Sequence, residues 1–425
     1  MKTMTKLLIG TAALLRASLV PAFAMLLSFQ SQQLLADVVT DWNTITLTTL
    51  TAAGEGRVTR ATRALAMVHA AIYDAVNSVE QRYSPYAVTA RAPGGTSPEA
   101  AAVLAAYTVL VGLYPSQKPA LDGALTNSLS AIPSGNSKGQ GVAWGTSVGN
   151  TILVLRSHDG STVQATYNQP PAPGVWQPTP PAFAPAILPA WGSVTPFTLR
   201  SGSQFRAPAP PSVYNARFRR DFEEVKSLGA GDSAVRTPEQ TEIALFWLEG
   251  SHITWNHIAL TIAERHHHSL LQSARLFALL NFAEADGSIT AFDSKYTYNF
   301  WRPVTAIQEG VSNGKFSLPP DPSWLPLQPT PAHPDYTSQH ALLGSAAATV
   351  LEFFFETDHI PFTVTTSFGV PRSFDSFSQA AEENGNSRVY VGFHFRTAVL
   401  RGMHQGADVG EWVCDNFLTD HRDDR

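Results

Sequence analysis

Cysteine is almost missing from this sequence. Cys414 is the only one in 425 residues. An internal disulfide is therefore excluded, and so is a cysteine cluster that could hold zinc or iron–sulfur. An exported form of the chain would depend on its hydrophobic core for stability.

Charged residues are also few, and the negative ones outnumber the positive ones. They make up 15% of the chain, and the formal net charge is −5. An excess of negative charge is a poor match for a phosphate backbone, so nucleic acid is not expected as a partner. The length and the 44% hydrophobic content predict a globular protein with a large core.

Residues 1–36 have the pattern of a secretory signal peptide. Lys2 precedes the apolar run 7–15, and Ala22-Phe23-Ala24 is a small-x-small cleavage sequence. We predict cleavage after Ala24 or near Ala36, and export to the periplasm or the extracellular space. No later run is apolar and long enough for a membrane span.

Helical spacing dominates residues 37–425 and predicts a single, mostly α-helical domain. Asp37 should begin a short extended piece rich in Thr and Val. No convincing run of alternating strand residues follows. The expected helices span about 57–78, 97–114, 116–131, 136–157, 215–228, 236–263, 268–286, 375–395 and 397–417.

Residues 163–212 interrupt the helical pattern. Twelve of the 30 prolines lie between Pro170 and Pro211, so regular helix cannot persist there. Disordered segments are poor in aromatic residues, whereas this one contains Trp176 and Trp191. We expect an ordered segment that wraps over the helical body.

Residues 333–351 read HPDYTSQHALLGSAAATVL and predict an extended approach to a buried helix. Thr337 or Ser338 would cap that helix. Its free N–H groups, the Ser338 hydroxyl and the His340 imidazole would suit an oxyanion and a proton transfer. A capped helix with a surface histidine would explain the same pattern. A serine-hydrolase arrangement with Asp335 is disfavoured, because no nucleophile elbow is present.

Lys295 and Arg302 are two helical turns apart and could share a face. Pro303 disfavours helical geometry at Arg302, which places that cation at a helix end or a kink. The surrounding aromatic residues would partly desolvate both charges, so an anionic partner is expected. Cation–π packing on the surface is the alternative.

Arg388 precedes His394 by six residues. On one helix the two would lie about 120° apart and would grip a ligand from two sides. The three cations, the helix start and the two imidazoles together indicate an oxyanion site with a proton-transfer group.

The three segments also resemble a known three-part signature. Lys295-x6-Arg302-Pro303, Thr337-Ser338-Gln339-His340 and Ser387-Arg388-x5-His394 are similar to KxxxxxxRP, PSGH and SRxxxxxH. That signature belongs to the superfamily of vanadium-dependent haloperoxidases and type 2 phosphatidic acid phosphatases, which includes bacterial acid phosphatases. The upstream helices resemble its haloperoxidase-like branch of exported bacterial proteins. The resemblance implies an all-α fold of helical bundles, with the site in residues 291–417.

The resemblance assigns a role to each matching residue. His340 is similar to the apical acid–base residue, and His394 to the residue that bonds vanadium or takes up a phosphoryl group. Phe292 and His333 fall where haloperoxidases line the halide side of the pocket, and a histidine at the second position is similar to the bromoperoxidases. The residues that match the vanadate- or phosphate-binding donors are Lys295, Arg302, Ser338, Gln339 and Arg388.

Three positions depart from the signature. Thr337 replaces proline, which is a mild change because threonine also caps helices. Gln339 replaces glycine and would be strained if that backbone needs a positive φ. Ala398 stands where the superfamily often has aspartate, so the apical histidine would lose its orienting partner unless Asp408 lies close.

The leading expectation is a vanadate-dependent haloperoxidase-like enzyme that oxidises a halide with hydrogen peroxide. The first alternative is an acid phosphatase that acts on phosphate esters through a phosphohistidine and needs no vanadate. The second is an oxyanion-binding protein without turnover. All three imply small-molecule ligands, and the halide, the organic acceptor and the oligomeric state stay open.

Overall fold

The computed structural model describes residues 37–56, 58–266 and 268–420. The predicted signal peptide lies outside these residues. Within them the chain forms thirteen α-helices and only two short β-hairpins. The predicted all-α class is confirmed.

The helices are α1 Val38–Ala52, α2 Val58–Glu80, α3 Pro98–Leu113, α4 Lys118–Ser130, α5 Asn136–Leu155, α6 Ala216–Leu228, α7 Pro238–Phe246, α8 Ser251–His266, α9 Leu270–Tyr298, α10 Pro303–Glu309, α11 Gln339–Phe355, α12 Phe377–Tyr390 and α13 Arg396–Asn416. The hairpins are antiparallel and pair β1 Val311–Ser312 with β2 Ser317–Leu318, and β3 Phe362–Thr365 with β4 Pro371–Phe374. No single helix of the described ranges has the length and apolarity of a membrane span. The helical segments Pro98–Leu113 and Pro115–Ser130 are long and apolar enough only when taken together, and they are bent by 119° relative to each other.

The extended piece expected from Asp37 is wrong, because the chain forms α1 there. Asp37 caps the helix by accepting the N–H of Val39 at 3.0 Å. Thr46 turns its hydroxyl to the carbonyl of Trp42 at 2.6 Å, so the hydroxyl stays bonded inside the helix. Burial of Trp42 and Leu50 therefore outweighs the strand preference of the threonine and valine residues.

Helix α9 is the centre of the fold. Its 29 residues begin at a capping box formed by Ser269 and Gln272. Most of its length is buried, and it packs against α2, α11 and α13. The helix continues past the expected end at residue 286 as far as Tyr298, and this extension carries Lys295 into the interior.

Glycine stripes bring two helix pairs into close contact. On α5, a Cβ added at Gly145 would lie 2.2 Å from the carbonyl oxygen of Ala101 in α3. On α13, a Cβ added at Gly406 would lie 2.1 Å from the carbonyl oxygen of Leu342 in α11. Only glycine permits this approach, and the second pair positions the start of α11.

The single helix expected at 236–263 is wrong. Two helices, α7 and α8, occupy this range, and residues 247–250 form a break between them. Gly250 and Ser251, which disfavour helix interiors, stand at that break. The break turns the backbone carbonyls of Trp247 and Glu249 towards the segments that carry the signature.

The proline-rich segment runs along the approach to α11. Trp176 and Trp191 are buried, whereas Phe183 is 63% exposed. The N–H of Ile187 donates to the carbonyl of Ala332 at 3.0 Å. The segment therefore lies beside the chain that leads to His333.

Candidate functional site

A cavity of about 130 Å³ lies where the start of α11, the α12–α13 turn and the break before α8 meet. Five of its lining residues belong to the set predicted from the sequence. The lining consists of Leu248, Pro331, His333, Gln339, His340, Arg388, Phe393 and His394.

Arg302 is buried directly behind the cavity. It caps the start of α10 with extended backbone, φ −86° and ψ 156°, as Pro303 predicts. Its Nη1 donates to the carbonyl of Phe393 at 2.9 Å and lies 3.1 Å from Nε2 of His394. Its Nε donates to the carbonyl of His333 at 2.8 Å. Burial lowers the pKa of Arg302 to about 10, so the guanidinium remains charged at neutral pH.

Lys295 is placed differently from the sequence expectation. Its Nζ donates to the backbone carbonyls of Pro334 at 2.9 Å, Asp335 at 3.0 Å and Thr337 at 2.6 Å. These bonds use all three ammonium hydrogens, and Lys295 is not among the cavity-lining residues. In this structure Lys295 fixes the chain that approaches α11, and its contact with an anion stays a prediction.

Arg388 and His394 do not share a helix, so that part of the sequence analysis is wrong. Gly392 has a φ of +83°, which glycine tolerates, and α12 ends at Tyr390. The N–H of His394 then donates to the carbonyl of Arg388 at 3.2 Å. This tight turn, rather than a helix face, brings the two side chains to the same cavity.

Arg388 is the predicted cation that lines the cavity itself. Its Nη2 donates to the carbonyl of Trp247 at 2.6 Å, and its Nε to the hydroxyl of Ser387 at 2.9 Å. Nη1 has no hydrogen-bond partner among the described residues. Burial lowers the pKa of Arg388 to about 9, so its charge persists at neutral pH.

His394 faces a cation on one side and a carboxylate on the other. Its Nδ1 lies 2.8 Å from Oδ1 of Asp335, and both side chains are buried. Burial and the nearby Arg302 hold the pKa of His394 well below its usual range, so the imidazole is neutral. Burial raises the pKa of Asp335 to about 7, although Arg302 and Lys295 oppose this shift.

His340 points one ring nitrogen at the break before α8. Its Nε2 lies 3.0 Å from the carbonyl oxygen of Glu249 and must donate a proton to it. Burial, helped by the charge of Arg388, lowers the pKa of His340 to about 3. The neutral ring therefore keeps Nδ1 as its acceptor, and the carbonyl of Glu249 supplies the orienting partner that the sequence appeared to lack.

The start of α11 is built as the sequence predicts. Ser338 is the N-cap, and its hydroxyl accepts the N–H of Ala341 at 3.5 Å. Gln339 is the first helical residue, so its φ is negative and the strain considered for this position does not arise. Its amide donates to the hydroxyl of Ser288 at 3.1 Å, which holds the side chain at the cavity wall.

His333 and Phe292 form a tilted aromatic pair beside the cavity. Their ring centroids are 5.5 Å apart, and His333 lines the cavity whereas Phe292 lies behind it. Nδ1 of His333 lies 3.0 Å from Nη2 of Arg302. Burial and the charges of Lys295 and Arg302 hold the pKa of His333 well below its usual range.

Asp408 does not replace the aspartate that Ala398 lacks. It lines a separate cavity of about 480 Å³, together with Arg401 and His404, and this cavity contains none of the predicted site residues. Ala398 is buried, and its carbonyl accepts the N–H of Ser338 at 3.0 Å. Position 398 therefore supports the helix start through its backbone.

Comparison with known proteins relates this chain to the vanadium haloperoxidases. A family model described as the second helical-bundle domain of VCPO matches residues 275–423, which contain all three signature segments. A bacterial vanadium-dependent iodoperoxidase of known structure is 28% identical, with a TM-score of 0.77 over 91% of this chain and 97% of that one. Residues 275–423 therefore resemble that domain, and the chain as a whole is similar in sequence and fold to vanadium haloperoxidases.

Two other similar proteins are more distant in sequence. Vanadium chloroperoxidase of Curvularia inaequalis is 24% identical over 281 residues, which cover 49% of this chain and 45% of that protein. The chain thus spans about half the length of this curated relative. The apo structure of a bacterial vanadium-dependent chloroperoxidase is 18% identical, with a TM-score of 0.70 over 85% of this chain and 94% of that one, and it shows the shared fold.

Two features of this site are not predicted from the sequence. Asp335, between His333 and the start of α11, enters the sequence analysis only through the serine-hydrolase alternative. The carbonyl of Glu249 was hidden within a predicted helix. Gly250 is the local signal that would have revealed that break.

Proposed function

We propose that this chain is a vanadate-dependent haloperoxidase-like enzyme that oxidises a halide with hydrogen peroxide. The observation that carries the proposal is the neutral imidazole of His394, whose Nε2 lies at a small cavity beside the buried cations Arg302 and Arg388. The iodoperoxidase and chloroperoxidase activities named for its structural relatives support the same chemistry.

The donor set fits an oxyanion such as vanadate. Arginine presents planar N–H groups that match anionic oxygens, and a helix start adds backbone N–H donors. No group of three or more His, Cys, Asp or Glu residues in the described ranges is placed to hold a bare metal cation. When bound, vanadate would supply a Lewis acid that activates peroxide.

Each residue then has a distinct task. Were vanadate bound, Nε2 of His394 would be its ligand in place of Nη1 of Arg302, and Arg302 and Arg388 would neutralise the charge of the anion. Ser338 and the start of α11 add neutral donors. His340 accepts and returns a proton at Nδ1, because its Nε2 is held by the carbonyl of Glu249.

The deciding experiment measures halide oxidation by the purified protein with and without added vanadate and hydrogen peroxide. We expect turnover only when both are present. Phosphate-ester hydrolysis that vanadate inhibits would show the phosphatase instead, because vanadate imitates the transition state of phosphoryl transfer. Binding of vanadate without either activity would indicate an oxyanion-binding protein.

We also propose that hydrogen peroxide and the halide reach the enzyme outside the cytoplasm. The support is the pattern of residues 1–36 in the sequence. The amino terminus of the exported protein tests this proposal, since cleavage after Ala24 or near Ala36 should be found by sequencing it.

A further inference from the structure

We propose that Asp335 is the positioning residue that fixes the tautomer of His394. This role rests on the proposed function, since it concerns the atom that would bind vanadate. A carboxylate at Nδ1 keeps the proton on that nitrogen and leaves the lone pair on Nε2. Asp335 would thus orient His394, as the carbonyl of Glu249 orients His340.

Two contacts of the ring define the tautomer independently. On one side, Nδ1 of His394 lies 2.8 Å from Oδ1 of Asp335. On the other, Nε2 lies 3.1 Å from Nη1 of Arg302. A guanidinium can only donate hydrogen bonds, so Nε2 must be the acceptor and Nδ1 must carry the proton.

The backbone of Asp335 is held from two segments. Its N–H donates to the carbonyl of Phe300 at 2.8 Å, and its carbonyl accepts from Nζ of Lys295 at 3.0 Å. The side chain is fully buried. Lys295 therefore helps to position His394 indirectly, because it holds the backbone of Asp335.

The alternative source of a carboxylate is missing in this chain. Position 398 is alanine, and its carbonyl is already bonded to Ser338. Asp408 lines the separate cavity with Arg401 and His404. Within the described residues, Asp335 is the one carboxylate that forms an ion-pair contact with His394.

Nitrogen-15 NMR of the full chain with labelled histidine tests the inference without vanadate. We expect a protonated Nδ1 and an unprotonated Nε2 for His394 at neutral pH. The His394→Gln spectrum identifies the signal among the other histidines. The opposite tautomer, or a doubly protonated ring, would overturn the inference in the wild-type protein alone.

The Asp335→Asn variant provides the second test. Its amide can present an NH2 group to Nδ1 of His394, which favours the proton on Nε2. We expect the NMR signals to change accordingly and the affinity for orthovanadate to fall about 10–100-fold. Equilibrium dialysis measures the affinity.

Asp286→Asn is the matched control. Asp286 is a fully buried carboxylate that accepts the N–H groups of residues 197–199. Its loss should lower stability but leave both the His394 signal and the vanadate affinity unchanged.

The outcomes separate the two proposals. An unchanged tautomer and unchanged vanadate affinity in Asp335→Asn would refute the positioning role and leave the proposed function intact. A tautomer that is as expected in the wild-type protein and changes in Asp335→Asn, without vanadate binding or halide oxidation by the wild type, would refute the function and uphold the positioning role. If Asp335→Asn does not fold, the opposite tautomer in the wild-type spectrum would still overturn the inference.

Discussion

Helix pairs α3/α5 and α11/α13 are built alike, yet only the second carries a site. Both begin at a serine N-cap, Ser97 in α3 and Ser338 in α11. A Cβ added at Gly141 would meet the carbonyl oxygen of Ser97 at 2.6 Å, and one at Gly402 would meet that of Ser338 at the same distance. The next glycines along each stripe continue in the same register, as Gly145 and Gly406 show.

The difference begins two residues after the cap. In α3, Glu99 accepts a hydrogen bond from the Ser97 hydroxyl at 2.8 Å, so that helix start has its own carboxylate. In α11 the corresponding residue is His340, and Arg388 and Arg302 lie nearby. A helix start is therefore not sufficient for an anion site. The start of α11 also has surrounding cations and, unlike α3, no carboxylate two residues after its cap.

Replacing His394 should have the largest effect on the site that only the α11/α13 pair carries. We expect His394→Ala to abolish vanadate retention, because the bonding nitrogen is lost. Elemental analysis after dialysis measures this. His69→Ala is the matched control, since His69 is also fully buried but bonds Asn43 in the other part of the molecule, and it should retain vanadate. Retention by His394→Ala would refute the assignment.

His340 is the residue that distinguishes the start of α11 from that of α3, so its replacement tests the difference between the two helix starts. His340→Ala should keep vanadate bound but lower turnover by about 10²–10⁴-fold, because the acid–base group is lost. His340→Glu should also prevent vanadate binding, since it gives α11 the carboxylate that α3 has. Steady-state kinetics and equilibrium dialysis separate the two effects, and equal vanadate affinity in both variants would contradict this account.

Replacing one glycine in each stripe by alanine tests the close helix packing that the two pairs share. Gly145→Ala and Gly406→Ala should each lower the free energy of unfolding by about 1–3 kcal/mol through overpacking. Denaturant titration measures this loss. Only Gly406→Ala should also weaken vanadate binding, because α13 supports the start of α11. A similar loss of affinity in Gly145→Ala would show that the pairs are not independent.

The pH dependence of stability tests the burial of His340. The folded protein lowers the pKa of His340 to about 3 from an ordinary value of 6.5, so the unfolded chain binds more protons between these values. The free energy of unfolding should therefore fall as the pH drops from about 6.5 towards 3, by up to about 1.4 kcal/mol per pH unit from this group. His340→Ala should have a shallower slope in the anion-free protein, and an identical slope would contradict the burial argument.

The sequence predicted the parts of the site that depend on local chemistry. Ser338 caps α11 because its hydroxyl satisfies a free N–H, and Arg302 leaves the helix because Pro303 follows it. Helical spacing also identified most of the buried helices. Such features are readable because neighbours in the chain determine them.

The contacts between distant segments could not be predicted in this way. Lys295 bonds three carbonyls about forty residues further along the chain, and no local pattern announces that cluster. Asp335 and the carbonyl of Glu249 reach their histidines only after the helices have packed. The sequence pattern predicts helix through Gly392, where the structure has a turn. A single glycine can occur within a helix, so only the tertiary contacts decide whether the helix ends there.

The most direct test of the central claim is a crystal structure of the protein soaked with vanadate. We expect vanadium bonded to Nε2 of His394, with Arg302 and Arg388 on its oxygens. Vanadate bound elsewhere, or Nη1 of Arg302 still on Nε2 of His394 at saturating vanadate, would contradict the account.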